Sequence, residues 1–410
     1  MNLPQMLACI AVATLAACAS TPRPTPAATD APDTVLMLSI DGLSPDALGK
    51  GNSPHLDALA RGGVQARWMQ PSYPAITFPN HYTLVTGLRP DRHGLIHNSM
   101  HDPSLGRFEL KDVDAVRTPG WWNDAVPLWL QASRHGLRSG TWSYPGGETA
   151  IDGQLPDQLH PYDESLTPAE RAQHLLDWLD QPDRLHFIAG YFEHVDQAGH
   201  AFGPDSPQHQ KALRTVDAAI GTLVDGLRLR GQLDRINLMV VSDHGMAVVP
   251  DGQVIAIEDI VPHAIARNVS AGQVLGFDPQ PGQVAAAEAR LIGRHDHYAC
   301  WKREDLPARW QFGQHRRVPP IICQMDEGWD ALSRAVISRR RPGQRGSHGY
   351  DPALPSMRAV FIAHGPAFRQ GVTIDPIDNV DVYPLVNRLL HLDIPPNDGQ
   401  LDATQDALRH

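Results

Sequence analysis

The chain has 410 residues, 42% hydrophobic and 20% charged, a balance that excludes a disordered or fibrous polypeptide and predicts a sizeable folded core. Lys and Arg number 35 against 46 Asp and Glu, a formal charge of −11, which excludes a protein that coats nucleic acid through a basic surface. The same charge repels anions at long range, so an anionic ligand would need a strong local cation.

Residues 1–17 carry no charge, and their apolar run from Met6 to Ala17 is too short to span a bilayer but suits the core of a signal peptide. The run ends in Leu15-Ala16-Ala17-Cys18, which resembles the lipobox of bacterial lipoproteins, where the Cys is lipidated and becomes the new N-terminus. It departs from that pattern in having no Lys or Arg ahead of the run. The expectation is an exported protein, periplasmic or anchored in the outer membrane, that touches the membrane only through this lipid. Residues 18–33 are rich in Pro, Thr and Ala and read as a tether. A catalytic domain is then expected over 34–402, followed by a short tail over 403–410. Of the 4 Cys, Cys9 and Cys18 belong to the leader, and Cys300 and Cys323 remain; the sequence leaves open whether they pair or stay as buried thiols.

Four continuous apolar, β-branched runs follow in order: Thr34–Ile40 (TVLMLSI), 185–189 (LHFIA), Ile236–Val241 (INLMVV) and 358–363 (RAVFIA). Each is too continuous for a half-exposed antiparallel strand and suits a strand buried on both faces of a parallel sheet. Helical stretches such as Pro168–Leu179 and 207–228 lie between them, so an α/β layered fold is predicted. Each of the first three runs is followed by chemistry: Asp41, then Glu193 to Asp196, then Asp243-His244. Open parallel sheets bind ligands beyond the carboxyl ends of their strands, so one sheet edge would collect these groups. Between 261 and 346 the chain turns Pro- and Arg-rich with little regular apolar period, which predicts an inserted subdomain, after which His348 in Gly346-Ser-His-Gly349 returns to that edge.

Asp196 and His200 are four apart, a spacing that puts both on one face of a helical turn and can grip a single metal. Asp243 and His244 are adjacent, so their side chains diverge, and two metal sites are predicted rather than one. Carboxylate with imidazole favours Zn²⁺, with Mn²⁺ or Fe as alternatives. If the site does phosphoryl chemistry, the candidate nucleophile is Thr77 in YPAITFPNH (73–81). A helix opens there and stops at Gly87, and its free N–H groups and dipole favour anionic oxygen.

Five blocks, IDGLSPDAL (40–48), YPAITFPNHYTLVTGLRPDRHGLIHN (73–98), YFEHVDQAGHAFGP (191–204), VVSDHGM (240–246) and GSHGYDPALPSMRAVFIAHGPAF (346–368), occur in order over nearly the whole mature chain. Together they resemble the motif series of the nucleotide pyrophosphatase/phosphodiesterase (type I phosphodiesterase) family of the alkaline-phosphatase superfamily, in a bacterial version. The resemblance implies an alkaline-phosphatase-like layered α/β sandwich with a central, mostly parallel sheet and the inserted subdomain near the C-terminal half. It also implies two zinc ions per chain, one held by Asp196, His200 and His348, the other by Asp41, Asp243, His244 and the Thr77 oxygen. Thr77 would be the nucleophile, passing through a phospho-threonine intermediate, and Asn98 would help the Phe78 backbone N–H bind the phosphoryl oxygens. Phe78 and Tyr162, with Tyr191 beside them, would grip a nucleobase. The implied activity is hydrolysis of nucleotide phosphodiester or pyrophosphate bonds, as in nucleoside triphosphates or dinucleotides, to a nucleoside 5′-monophosphate. Alternatives are a phosphodiesterase of lipid headgroups such as phosphocholine esters, a phosphomonoesterase or phosphonate hydrolase, and a non-catalytic binding lipoprotein. Where relatives often read Glu-Pro-Asp the chain has His194-Val195-Asp196, which leaves the ligand intact.

Overall fold

The computed structural model of the chain describes residues 33–409; the leader with Cys18 and the expected tether up to residue 32 lie outside them. Eight strands form the central sheet: Thr34–Ile40 (β1), Val64–Ala66 (β2), Ser139–Trp142 (β3), Gln158–His160 (β4), Phe187–Phe192 (β5), Ile236–Val241 (β6), Phe361–His364 (β7) and Val372–Ile374 (β8). Their spatial order is β8-β2-β7-β6-β1-β5-β3-β4. β1 is central and pairs in parallel with β5 on one side and β6 on the other. All its residues are buried, and they alternate between two cores: Val35 and Met37 face one, Leu36, Leu38 and Ile40 the other. The second core is closed by the helices Pro168–Leu179 and Pro207–Leu229, through residues such as Leu175, Leu176, Val216, Ile220 and Leu223. The result is the expected α/β sandwich, helices packed on a sheet that is mostly parallel.

Two of the predicted strands differ in detail. The 185–189 run becomes β5, which starts at Phe187 and continues to Phe192, because Gly190 fits flush against Leu38 and the apolar Tyr191 and Phe192 follow it. The 358–363 run is split. Ala359 exchanges both backbone hydrogen bonds with Met69, and only from Phe361 does the chain join the sheet, running antiparallel to β6 and β2. A doubly buried apolar run carries no information on direction, which is set by the route of the connection, here the short turn at Pro355–Met357.

The stretch that looks irregular in sequence contains a second, antiparallel sheet, in the order Ala266–Ser270, Val274–Pro279, Ile321–Met325, Tyr298–Lys302, Gly293–His295. It opens and closes at a two-stranded neck, Ala247–Val249 against Arg345–Ser347. Cys300 and Cys323 face each other directly on adjacent strands and form a disulfide. The segment expected as a tail is instead held to the body. A 3-10 helix over Leu401–Ala407 buries Thr404 and Ala407, and the Arg409 N–H donates to the Ala367 carbonyl. No described helix is long and apolar enough to cross a membrane.

The disulfide closes a sequence separation of 23 residues inside the second sheet. Replacing both Cys300 and Cys323 by Ser is expected to cost about 2–4 kcal/mol of stability. Urea unfolding of this variant should match the reduced wild type; equal midpoints for oxidised wild type and variant would contradict it.

Candidate active site

The site is assembled from chain ends rather than from one element. Asp41 ends β1; Asp196 and His200 lie on the helix His194–Phe202 (α1), which begins two residues after β5; Asp243 and His244 follow β6; and His348 follows the neck strand Arg345–Ser347. Parallel strands emerge on the same side of a sheet, so three strand ends meet there. Asp41, Asp196, Asp243, His244 and His348 are buried, and His200 is partly exposed.

Three imidazoles are oriented by the backbone. His200 Nδ1 lies 3.1 Å from the Gly346 carbonyl, His244 Nδ1 3.0 Å from the Gly245 carbonyl, and His348 Nδ1 3.0 Å from the Ala75 carbonyl. A carbonyl only accepts, so each Nδ1 carries a proton, and in the neutral ring each Nε2 then presents a lone pair. These lone pairs converge: His348 Nε2 is 3.1 Å from His200 Nε2 and 3.7 Å from the Asp196 carboxylate, and His200 Nε2 is 3.5 Å from it. His244 Nε2 is 2.8 Å from Asp243 Oδ2 and 3.6 Å from Asp41 Oδ1. One oxygen of each of Asp41, Asp196 and Asp243 is buried without a hydrogen-bond donor. Lone pairs facing lone pairs in a buried space call for cations, and the donor set of carboxylate and imidazole without thiolate suits a borderline divalent ion.

The acceptor atoms fall into two groups that could each hold a metal: Asp41, Asp243 and His244, and Asp196, His244 and His348. His200 adjoins the second. The division departs from the expected one in two respects: His244 borders both groups, and His200 stands beside the second rather than within it. Its ring stacks on that of His348 with centroids 3.6 Å apart. Burial, then the charges of Asp243 and Asp196, push the Asp41 carboxyl well above its usual value. Burial also holds His348 well below the usual imidazole range, helped by His244 and His200, so that it stays unprotonated and ready to ligate.

Thr77 is the first residue of a helix, Thr77–Thr86 (α2 hereafter), that ends at Gly87 in the left-handed conformation. Its Oγ1 lies 3.4 Å from His244 Nε2, beside both groups. Asn98 is close, but not in the expected way: the Phe78 N–H donates to Asn98 Oδ1 at 2.9 Å. That N–H is therefore consumed in orienting Asn98, whose amide NH₂ has no protein partner among the described residues. Phe78 is half-buried, with Phe108 and Trp122 ring centroids at 5.8 and 6.0 Å, and Tyr162 is 45% exposed. Tyr191, grouped with them on sequence, is buried with its ring centroid 6.4 Å from that of Tyr162, and it donates its hydroxyl to the Asp41 carboxylate. Its polar atom thus serves the metal-binding group rather than a ligand.

His81 was not singled out by sequence. Its Nδ1 donates to the Thr77 carbonyl at 2.9 Å and lies 3.4 Å from Asp243, while Nε2 meets Ser39 Oγ at 2.8 Å. The four-residue spacing from Thr77 was the available signal.

A mostly parallel α/β sandwich with paired carboxylate–imidazole groups beside a helix-initial hydroxyl defines the class of metal-dependent phosphoryl hydrolases. The sequence model described as type I phosphodiesterase / nucleotide pyrophosphatase matches residues 35–351, and the chain belongs to that family. Human ectonucleotide pyrophosphatase/phosphodiesterase family member 5 is 31% identical over 374 residues, covering 91% of this chain and 78% of the human protein. The bis(5′-adenosyl)-triphosphatase of Xenopus laevis is 33% identical over 377 residues, covering 91% of this chain and 81% of its own. Among solved structures, murine ectonucleotide pyrophosphatase/phosphodiesterase 5, an inactive threonine-to-alanine variant in complex with AMP, superposes with a TM-score of 0.87 at 33% identity, covering 92% of this chain and 100% of that one. The protein is thus a nucleotide pyrophosphatase/phosphodiesterase, a phosphoric diester hydrolase. These relatives are eukaryotic, so they carry the family and not a bacterial branch of it.

Removing the hydroxyl that supports Asp41 separates ligand orientation from ligand identity. Tyr191→Phe is expected to keep the fold and lose divalent metal about 10–100-fold more readily. Metal content after dialysis against graded chelator measures this, and retention equal to wild type would contradict it.

Proposed function

We propose that the chain is an exported enzyme holding two zinc ions, one among Asp196, His200 and His348 and one among Asp41, Asp243, His244 and the Thr77 hydroxyl. It cleaves the phosphodiester or pyrophosphate bond of nucleotides such as nucleoside triphosphates and dinucleotides, releasing a nucleoside 5′-monophosphate. The observation that carries this reading is the position of Thr77 Oγ1, at a helix N-terminus and 3.4 Å from the imidazole that borders both acidic groups. When bound, zinc supplies Lewis-acid chemistry, easing loss of the hydroxyl proton and neutralising phosphoryl charge.

The residues divide the work. Thr77 Oγ1 attacks phosphorus in line, forming a phospho-threonine ester as the bond to the leaving oxygen breaks. Water then cleaves that ester, returns the hydroxyl and releases the monophosphate. The free NH₂ of Asn98, fixed by the Phe78 N–H, donates to a non-bridging phosphoryl oxygen, and the start of α2 favours the same charge. Phe78 and the exposed face of Tyr162 bracket the nucleobase. AMP in the murine relative and the dinucleotide named for the frog relative support a nucleoside end on the substrate.

Residues 34–402 are taken as the catalytic domain, with 261–346 inserted. Cys18 is taken as the lipid attachment point of a periplasmic or outer-membrane lipoprotein. Cys18→Ala should move the protein from the membrane to the soluble fraction; an unchanged distribution would remove the anchor.

Steady-state assays of wild type and Thr77→Ala on p-nitrophenyl phosphate, p-nitrophenyl-TMP and p-nitrophenyl-phosphorylcholine test the chemistry. The nucleotide ester should be preferred, and the variant should lose at least roughly 10³-fold in kcat with zinc content nearly intact, since Asp41, Asp243 and His244 remain. Preference for the first substrate would make the enzyme a phosphomonoesterase, and preference for the third would move it to lipid headgroups.

A further inference from the structure

Arg171 takes no part in the chemistry above, yet it is fully buried, on the helix Pro168–Leu179. Every N–H of its guanidinium is used. Nε donates to the Leu166 carbonyl at 3.2 Å, Nη1 to the Tyr191 carbonyl at 3.0 Å and to Glu193, and Nη2 to the Asp163 carbonyl at 2.9 Å and to Glu193 at 2.7 Å. The group also lies over the Trp142 ring, 5.2 Å from its centroid. Glu193 is itself buried, 4% exposed.

The acceptors belong to three separate pieces of the site. Tyr191 is the residue of β5 whose hydroxyl holds Asp41. Glu193 is the residue that opens α1, three positions before Asp196. Asp163 directly follows Tyr162 and Leu166 closes the same loop, which would otherwise carry the exposed Tyr162 ring alone. A buried ion pair is seldom the most stabilising way to fill such a space, since apolar residues of similar size often do as well or better. Its particular property is direction: a planar guanidinium with a bidentate carboxylate and three carbonyls fixes angles that packing alone would not.

We propose that the Arg171–Glu193 pair is a positioning and specificity-determining device that locks the Tyr162 segment to the metal-ligand helix, so that a nucleoside seated on Tyr162 places its phosphorus in register with Thr77. The proposal rests on the reading of Tyr162 as a nucleoside contact. Arg171 and Glu193 touch no reacting atom and act through the Tyr162 segment, α1 and the end of β5.

The experiment is a double-mutant cycle of Arg171→Lys and Tyr162→Ala on zinc-loaded enzyme. KM and kcat are measured for p-nitrophenyl-TMP and for bis(p-nitrophenyl) phosphate, which has no nucleoside. Lys keeps the charge but not the directed fork. Arg171→Lys should raise KM for the nucleotide ester about tenfold, the scale of one lost base–aromatic stack, with kcat changed less than about twofold. It should leave bis(p-nitrophenyl) phosphate within about twofold of wild type. Tyr162→Ala should give a rise of similar size, and the double variant should be no worse than the larger single effect. Glu193→Gln, which keeps shape and loses charge, should reproduce the pattern, and thermal unfolding confirms that each variant is folded; if Arg171→Lys does not fold, Glu193→Gln completes the cycle. Equal losses on both substrates, or losses that multiply in the double variant, would overturn the proposal while leaving the nucleotide reading intact. If Tyr162→Ala leaves the nucleotide KM unchanged, the assignment of Tyr162 fails first, and this coupling fails with it.

Discussion

The structure turns on a repulsion. Asp41, Asp196 and Asp243 are buried side by side, and each keeps an oxygen that no protein donor reaches. Removing even one carboxylate from water costs several kcal/mol unless it is paired, and gathering three compounds the cost. The chain supplies partial relief: the Gly42 N–H donates to Asp243 at 3.1 Å, and Tyr191 donates to Asp41. Neutral imidazoles cannot finish the task, because their protons are turned outward onto backbone carbonyls. Bound cations would balance this arrangement, and metal uptake would then be thermodynamically linked to folding.

The same repulsion reconciles a negative protein with a negative substrate. Two divalent ions would change the formal charge from −11 to −11 + 4 = −7, leaving the protein anionic overall while the pocket becomes the place where positive charge is concentrated. Bulk charge therefore governs solubility and long-range encounter. The pocket governs binding.

Much of this was legible in sequence because it is local. The central strands Thr34–Ile40 and Ile236–Val241 and the helix Pro168–Leu179 have the expected bounds, since doubly buried runs and a capped, Pro-initiated helix write themselves in one stretch of residues. Ordered motifs likewise named the acidic and imidazole groups that the fold gathers. What escaped was non-local. The direction of β7 depends on a turn, and the second sheet on pairing between short strands that are individually weak signals. The place of His244 between two groups follows from its stacking on His348, more than one hundred residues away, and the occupied Phe78 N–H from the Asn98 side chain. Arg171 gave no signal in PAERAQHLL, because its carboxylate partner Glu193 and the Tyr191 carbonyl lie twenty or more residues further on.

The two-stranded neck has a consequence for how such a protein can change. His244 lies three residues before one of its strands and His348 immediately after the other, so the antiparallel pairing of Ala247 with Ser347 fixes the separation of the two imidazoles. The stretch between Val249 and Arg345 starts and ends at that clasp and is also anchored to the body: buried Arg317 pairs with Asp102 and donates to the Gly94 and Trp121 carbonyls, and Trp310 stacks on Tyr73 with centroids 4.1 Å apart. Length changes in the loops of that stretch that spare Arg317 and Trp310 would leave the spacing of the ligands untouched. The clasp thus makes the distance between the two imidazoles a local property of one short backbone pairing, insulated from whatever the intervening loops do.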